Sequence, residues 1–300
     1  MNKKNSFTLF LAVILIALFF MTLSFTQEKN TFIPNMPLPA EKEWGAYVAP
    51  KAGSFADFEN LIRRQANMQA IFVGWNDSFS FLNYSNIATL NKTLVIFWEQ
   101  YNVTLDSIIA GDSDYYIKRF ATDAKAYGGQ IILVPLHEMN GEWSPWSGTV
   151  GNNSPEKVIL AYRHIHDLFS NTNNVKWGWA VNNESVPDTP QNQIANYYPG
   201  DAYVDYVGVD GFNFGNPWQS YDEIFSSALS RLKKYNKPIY IFSMACAQGS
   251  QKADWITDAL SKIKSDPSIT GFIWFNEDKE QNWLINSDQQ ALQAFQNAIK

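Results

Sequence analysis

From Trp44 to the C-terminus, short apolar runs alternate with longer amphipathic stretches. The runs fall at 44–48 (WGAYV), 70–75 (AIFVGW), 93–98 (TLVIFW), 130–136 (QIILVPL), 175–181 (VKWGWAV), 204–209 (VDYVGV), 238–242 (PIYIF) and 270–275 (TGFIWF). They are rich in β-branched and aromatic residues and apolar on both sides of the pleat, as expected of strands covered on both faces. Helical patterns occupy 55–68, 113–127, 155–170, 219–235, 251–264 and 288–299. Ser154-Pro155-Glu156 gives one of these helices a clear start, with a capping hydroxyl, a proline in the first turn and an early acid. The stretch 99–112, ahead of the 113–127 helix in the third crossover, reads as loop. Strands alternating with helices predict a parallel sheet, and eight such units predict closure into a single α/β domain, a (β/α)8 TIM barrel.

The N-terminal part has a different character. Residues 1–26 carry Lys3-Lys4 and then an apolar run over 7–25, the pattern of an export signal peptide or of a signal anchor long enough to span a membrane. Residues 27–43, with Pro34, Pro37 and Pro39, read as a linker, leaving 44–300 for the barrel. The positive end stays cytoplasmic and the bulk faces outward. The expectation is therefore a protein either secreted or held extracellularly by a membrane anchor. The lone Cys246 has no internal partner for a disulfide.

Composition narrows the class of ligand. Hydrophobic residues make up 46% of the chain and charged residues 17%, and the net charge is −6 without basic clusters, which argues against nucleic acid. The 11 Trp, 14 Tyr and 21 Phe gather near strand ends, where flat rings suit uncharged ligand faces. A phosphate-binding loop, a dinucleotide glycine fingerprint and a Gly-x-Ser-x-Gly elbow are absent from the sequence. His164 and His166 fall on a helix as surface or packing residues, away from Glu138. No cofactor and no metal are expected, and the chain is expected to be a monomer.

Chemistry in a barrel of this kind gathers where strands end. Those positions read Trp75-Asn76-Asp77, Trp98-Glu99-Gln100, His137-Glu138-Met139-Asn140, Asn182-Asn183-Glu184, Asp210-Gly211-Phe212-Asn213, Ser243 and Trp274-Phe275-Asn276-Glu277-Asp278. Carboxylates, amides and indoles on one rim suit a polyhydroxylated ligand. Cleaving a glycosidic bond needs a protonated carboxyl for the leaving oxygen and a second carboxylate as nucleophile or base. Glu138 fits the first role, because Leu136, Met139 and Trp143 would desolvate it and raise its pKa. Where the second carboxylate is expected, the seventh strand offers Ser243, and no Asp or Glu lies between Ile239 and Ala253. Asp210 and Glu277, from the neighbouring strands, are the alternative bases, and either would act on a water and so invert the anomeric centre.

His137-Glu138-Met139-Asn140-Gly141, followed by Trp143 and Trp146, resembles the acid/base signature of glycoside hydrolase family 26. Gly208-Val209-Asp210-Gly211-Phe212-Asn213, Lys237-Pro238-Ile239, Trp255-Ile256 and Trp274-Phe275-Asn276-Glu277-Asp278-Lys279 extend the likeness over about 44–290. The resemblance implies a (β/α)8 β-glycanase barrel, with Glu138 as general acid/base and His137 and Trp143 lining the cleavage subsites. It also implies a glutamate nucleophile where Ser243 stands, an arginine where Val134 stands and a tyrosine where Phe212 stands. Arginine and tyrosine would stabilise the nucleophile's carboxylate, so all three differences bear on one missing group.

Two functions follow. One is an exported endo-β-glycanase acting on β-linked oligo- or polysaccharide, mannan first and β-glucan or xylan next. The other is a glycan-binding pseudoenzyme, with Ser243 in place of the nucleophile. The expected ligand contacts are His137, Asn140, Trp143, Trp146, Phe212, Trp274 and Trp75.

Overall fold

The computed structural model describes residues 41–300 apart from Ser78. The leader at 1–26 and the linker up to residue 40 lie outside the described residues. Eight parallel strands form a closed barrel in sequence order: β1 (Glu43–Val48), β2 (Met68–Gly74), β3 (Thr93–Glu99), β4 (Ile131–Pro135), β5 (Val175–Asn182), β6 (Tyr206–Asn213), β7 (Ile239–Cys246) and β8 (Ile269–Asn276). Closure is made by β1 against β8, paired from Glu43↔Gly271 to Val48↔Asn276. Every strand expected from the pattern is present.

The helices are α1 (Phe55–Ile62), α2 (Ser85–Thr89), α3 (Leu105–Ala110), α4 (Asp114–Tyr127), α5 (Pro155–Asp167), α6 (Tyr221–Leu232), α7 (Lys252–Ser265) and α8 (Gln289–Ala298). Helix α1 stops at Ile62, short of the expected 68, because Arg63 takes up a left-handed conformation (φ 61°). The stretch expected as loop, 99–112, holds α3. Thr104 caps it by accepting from the Ser107 N–H at 3.1 Å, and left-handed Gly111 ends it. A helix this short shows too little of the 3.6-residue period to stand out in the sequence.

Two apolar layers hold the barrel. Outside the sheet, strand and helix side chains form one continuous core. Inside it, Met68, Ala70, Val95, Phe97, Ile132, Val134, Ala180, Tyr240, Phe242 and Ile273 fill the lumen. Filled from within, the barrel is a packed body and not a pore, so a ligand can meet it only at a mouth. Gly208 is needed for this filling: a Cβ there would stand 2.2 Å from Cδ2 of Phe242. Its absence lets the Phe242 ring lie across the floor beneath the C-terminal mouth.

Strands β6 and β7 run four residues further than the apolar runs suggested, to Asn213 and Cys246. Asp210, Phe212, Ser243 and Cys246 are therefore strand residues, set by sheet register and not by loop conformation.

Candidate active site

Strand β4 stops at Pro135, and the next three residues turn sharply. Leu136 and Glu138 both have positive φ (54° each), an uncommon state for residues with a side chain. Neighbouring strands hold the turn from both sides: the Leu136 N–H donates to Oε1 of Gln100 (2.9 Å), and the Glu138 N–H donates to the Ala180 carbonyl on β5 (3.0 Å). The Gly141 N–H closes back onto the Glu138 carbonyl at 2.9 Å. Gly141 also makes room for Trp143, whose ring atom Cζ2 would lie 2.4 Å from any Cβ at that position. So placed, the Trp143 indole donates Nε1–H to Oε2 of Glu138 at 2.8 Å.

Desolvation raises the Glu138 pKa to about 7. The Trp143 hydrogen bond and the Lys279 cation oppose that rise, and Glu280 adds to it. A carboxyl balanced near neutrality can hold and release a proton at working pH. On β3, Glu99 is also lifted to about 7 by desolvation, against Lys279 and with Asp77 and Glu138 adding repulsion. Asp210 lies far above the usual carboxylate range, because it is buried and faces the Glu138 charge. Its Oδ1 has no hydrogen-bond partner. Burial, with Lys279 assisting, holds the His137 pKa down to about 3, so the imidazole is neutral. That ring stands edge-on to Phe72 and Phe97, and its Nδ1 is unpartnered.

On the opposite side, Ser243 pairs with Asp210 in the sheet register, just past a shift between Val209 and Asp210. Ser243 is buried. Phe212, partly buried, packs edge-on to Phe275 and against Trp283, where a tyrosine would have carried a hydroxyl. Val134 is buried in the lumen with Phe97 and Phe242. Of the three positions that differ from the family pattern, Ser243 stands beside Asp210 in the register, while Phe212 and Val134 are held in apolar packing.

The expected ligand contacts separate into two groups. Trp143 is 51% exposed and open to a ligand. Trp75, Trp146 and Trp274 are not stacking platforms, because packing takes up their rings. Trp75 stacks on Trp98 at 4.6 Å, Trp146 donates Nε1–H to the His137 carbonyl at 2.7 Å, and Trp274 donates to the Trp283 carbonyl at 3.2 Å. Strand-end tryptophans look alike in sequence whether the ring faces the mouth or the helices. Asn140 is likewise a brace and not a ligand contact: fully buried, its amide joins the Asn182 N–H (2.8 Å) and the carbonyls of Asn182 and Glu184 (3.0 and 3.2 Å). Glu277, at the end of β8, is partly exposed, and its carboxyl is raised chiefly by desolvation.

Four mouth residues had no assigned role from sequence. Glu99 and Lys279 act on the charge of Glu138 or its neighbours. Tyr101 (42% exposed) and Phe214 (48%) present open rings, each set edge-on against a buried tryptophan, Trp146 at 5.1 Å and Trp283 at 5.2 Å. Their signal is faint, a single aromatic just beyond a strand end in each case.

With this mouth described, relatives become informative. Residues 94–299 match the model of Glycosyl hydrolase family 26. The chain belongs to that family. It is 39% identical over 271 residues to endoglucanase H of Acetivibrio thermocellus, which covers 85% of this chain and 30% of that protein. It is 32% identical over 115 residues to a mannan endo-1,4-beta-mannosidase of Bacillus subtilis, covering 35% of this chain and 30% of the relative. The chain thus spans under a third of the length of these curated relatives. Among solved structures, a GH26 beta-mannanase from Bacteroides ovatus superposes with a TM-score of 0.66 at 17% identity, over 86% of this chain and 88% of that one. That likeness is one of fold. Family membership and the closed barrel agree with the expectation drawn from the His137–Gly141 signature.

Proposed function

We propose that this chain takes a β-linked polysaccharide across its C-terminal barrel mouth, mannan first and β-glucan or xylan next, and that Glu138 protonates the glycosidic oxygen. The observation that carries this reading is the Trp143 Nε1–Glu138 Oε2 hydrogen bond at 2.8 Å, which aims a desolvated carboxyl into the open mouth beside an exposed indole. The printed names of the relatives, endoglucanase and mannan endo-1,4-beta-mannosidase, support the substrate class.

A retaining reaction needs a second carboxylate about 5–5.5 Å from the first, and β7 supplies Ser243 instead. Hydrolysis would then pass through water: a base takes a water proton, the water oxygen joins the anomeric carbon, and Glu138 gives its proton to the leaving oxygen, with inversion. Asp210 is a poor base while burial keeps it protonated, which leaves Glu277, just past β8, as the candidate base. The same Ser243 favours a second reading, a barrel that binds glycan without turning it over. The leader over 1–26 supports export, with the barrel secreted or held at the outer membrane face, and the chain is read as a monomer.

Product analysis on mannan, lichenan and xylan decides between these readings. Turnover abolished by Glu138→Gln supports the hydrolytic reading, and an α-anomeric first product from a β-linked substrate identifies inversion. Binding by calorimetry with no product from any polymer supports the pseudoenzyme. Absence of both binding and products overturns the proposal.

A further inference from the structure

Lys252, in the first turn of α7, is fully buried. Its Nζ donates to two main-chain carbonyls of the loop after β8, Leu284 at 2.8 Å and Asn282 at 3.2 Å. The ammonium also sits 6.0 Å from the centre of the Trp274 ring. Burying a lysine is costly unless its charge is answered, and here the answer comes from carbonyl dipoles and an aromatic face, with no carboxylate of the described residues in salt-bridge contact. The charged and titratable groups near it are the Cys246 thiol of β7 and Asp288, which leads into α8.

The loop it holds is tied at several other points. The Trp283 N–H donates to the Glu277 carbonyl (3.0 Å), the Ile285 N–H donates to Oδ1 of Asn276 (2.8 Å), and the Asn282 amide meets Gln248 at 3.2 Å. Between those ties the loop carries Glu277, Lys279 and Glu280. Lys279 and Glu280 both act on the charge of Glu138, and Lys279 also acts on Glu99. Trp283 in the same loop supports Phe212 and Phe214. One buried lysine therefore anchors the segment that supplies both Lys279, a cation that acts on the acid, and the backing of an open aromatic ring.

We infer that Lys252 is a positioning residue: by holding the Asn282 and Leu284 carbonyls it fixes the loop after β8 so that Lys279 faces the mouth, and through Lys279 it sets the proton affinity of Glu138. The inference rests on Glu138 being the titrating acid of the proposed function. It is consistent with the Lys252 pKa, which burial lowers to about 8, so the loop would also lose its charged anchor as pH rises past that value.

The test reads Glu138 directly and needs no turnover. Trp143 is bonded to Glu138, so its fluorescence, taken as the difference between the protein and its Trp143→Phe variant, should titrate with Glu138 and lose the transition in Glu138→Gln. Lys252→Met should move that midpoint upward by about half a pH unit, the scale of one partly screened charge. Lys279→Met should move it the same way, and Lys252→Met should add nothing in the Lys279→Met background. A purely structural lysine would lower the melting temperature and leave the midpoint in place, which overturns the inference. If Lys252→Met does not fold, Asn282→Ala loosens the same loop from its outer side; an unmoved midpoint there overturns the inference equally. A protein that titrates as expected but cleaves no glycan refutes hydrolysis and leaves the positioning role standing.

Discussion

Asp210 of β6 stands directly opposite Ser243 of β7 in the sheet register, buried, with one carboxyl oxygen unpaired. The barrel thus keeps a carboxyl one strand away from where a nucleophile is expected, in a setting that favours its protonated form. Any carboxylate restored at 243 must be built next to it.

Ser243→Glu alone should therefore yield little retaining activity on mannan, lichenan or xylan, because the new carboxylate meets Asp210, Val134 and Phe212 where a cation and a hydroxyl would be needed. It should also destabilise the fold by about 1–3 kcal/mol at pH 8, with the loss shrinking at pH 5, where the carboxyl is protonated. Denaturation at the two pH values and assays of the single variant beside Val134→Arg/Phe212→Tyr/Ser243→Glu check this. Full retaining activity from the single change would contradict it.

Glu138→Gln should show a crossover in stability with pH. The folded pKa is raised to about 7 from an ordinary 4.5, so between those values the folded state binds more protons than the unfolded one and stability falls as pH rises. Glutamine removes that dependence. The variant should gain on the parent through this window, by on the order of 1–3 kcal/mol at pH 8 after allowance for partial exposure. Urea titrations at pH 5 and pH 8 measure it, and parallel curves would mean that Glu138 titrates as an ordinary carboxylate.

Two tryptophans three residues apart, Trp143 and Trp146, should respond in opposite ways. Trp143→Ala should weaken β-glycan binding by about 1–3 kcal/mol with little change in melting temperature. Trp146→Ala should cost about 3–5 kcal/mol of stability, because its ring is buried and its Nε1–H holds the His137 carbonyl. Calorimetry with an oligosaccharide series, together with thermal denaturation, separates the two.

Tyr101→Ala and Phe214→Ala should leave short oligosaccharides bound almost as before and weaken longer ones by about 0.5–1.5 kcal/mol each. These rings are open and lie just past β3 and β6, where an extended ligand crossing the mouth would meet them. Affinity unchanged at every chain length would remove them from the ligand path.

The barrel was legible because parallel strands covered on both faces read as unbroken apolar runs, and all eight such runs became strands. Glu138 was legible for a related reason: a carboxyl flanked by Leu136, Met139 and Trp143 just past such a run is both placed and desolvated by sequence neighbours alone. What depends on register was not legible. The apolar pattern stops at Val209 and Phe242, because the next residues are polar and still paired, so Asp210 and Ser243 read as strand-end positions while the further pairing to Asn213 and Cys246 went unseen. The facing of Trp75, Trp146 and Trp274 was equally hidden, since an indole that lines a ligand groove and one that packs against a helix differ only in which side of the pleat they leave. Lys252 gave no sign in sequence either, its role arising from carbonyls thirty and more residues away.

The two left-handed residues around His137 limit how the signature can be moved. Leu136 and Glu138 hold their backbone in an unfavourable region while Gln100, just past β3, and Ala180 of β5 accept from their N–H groups. A graft of His137–Gly141 onto another barrel would import the strain without these two restraints, and the turn would relax and swing the carboxyl off target. The portable unit is discontinuous: the pentapeptide, a glutamine just past the preceding strand and a carbonyl at the right height on the following one.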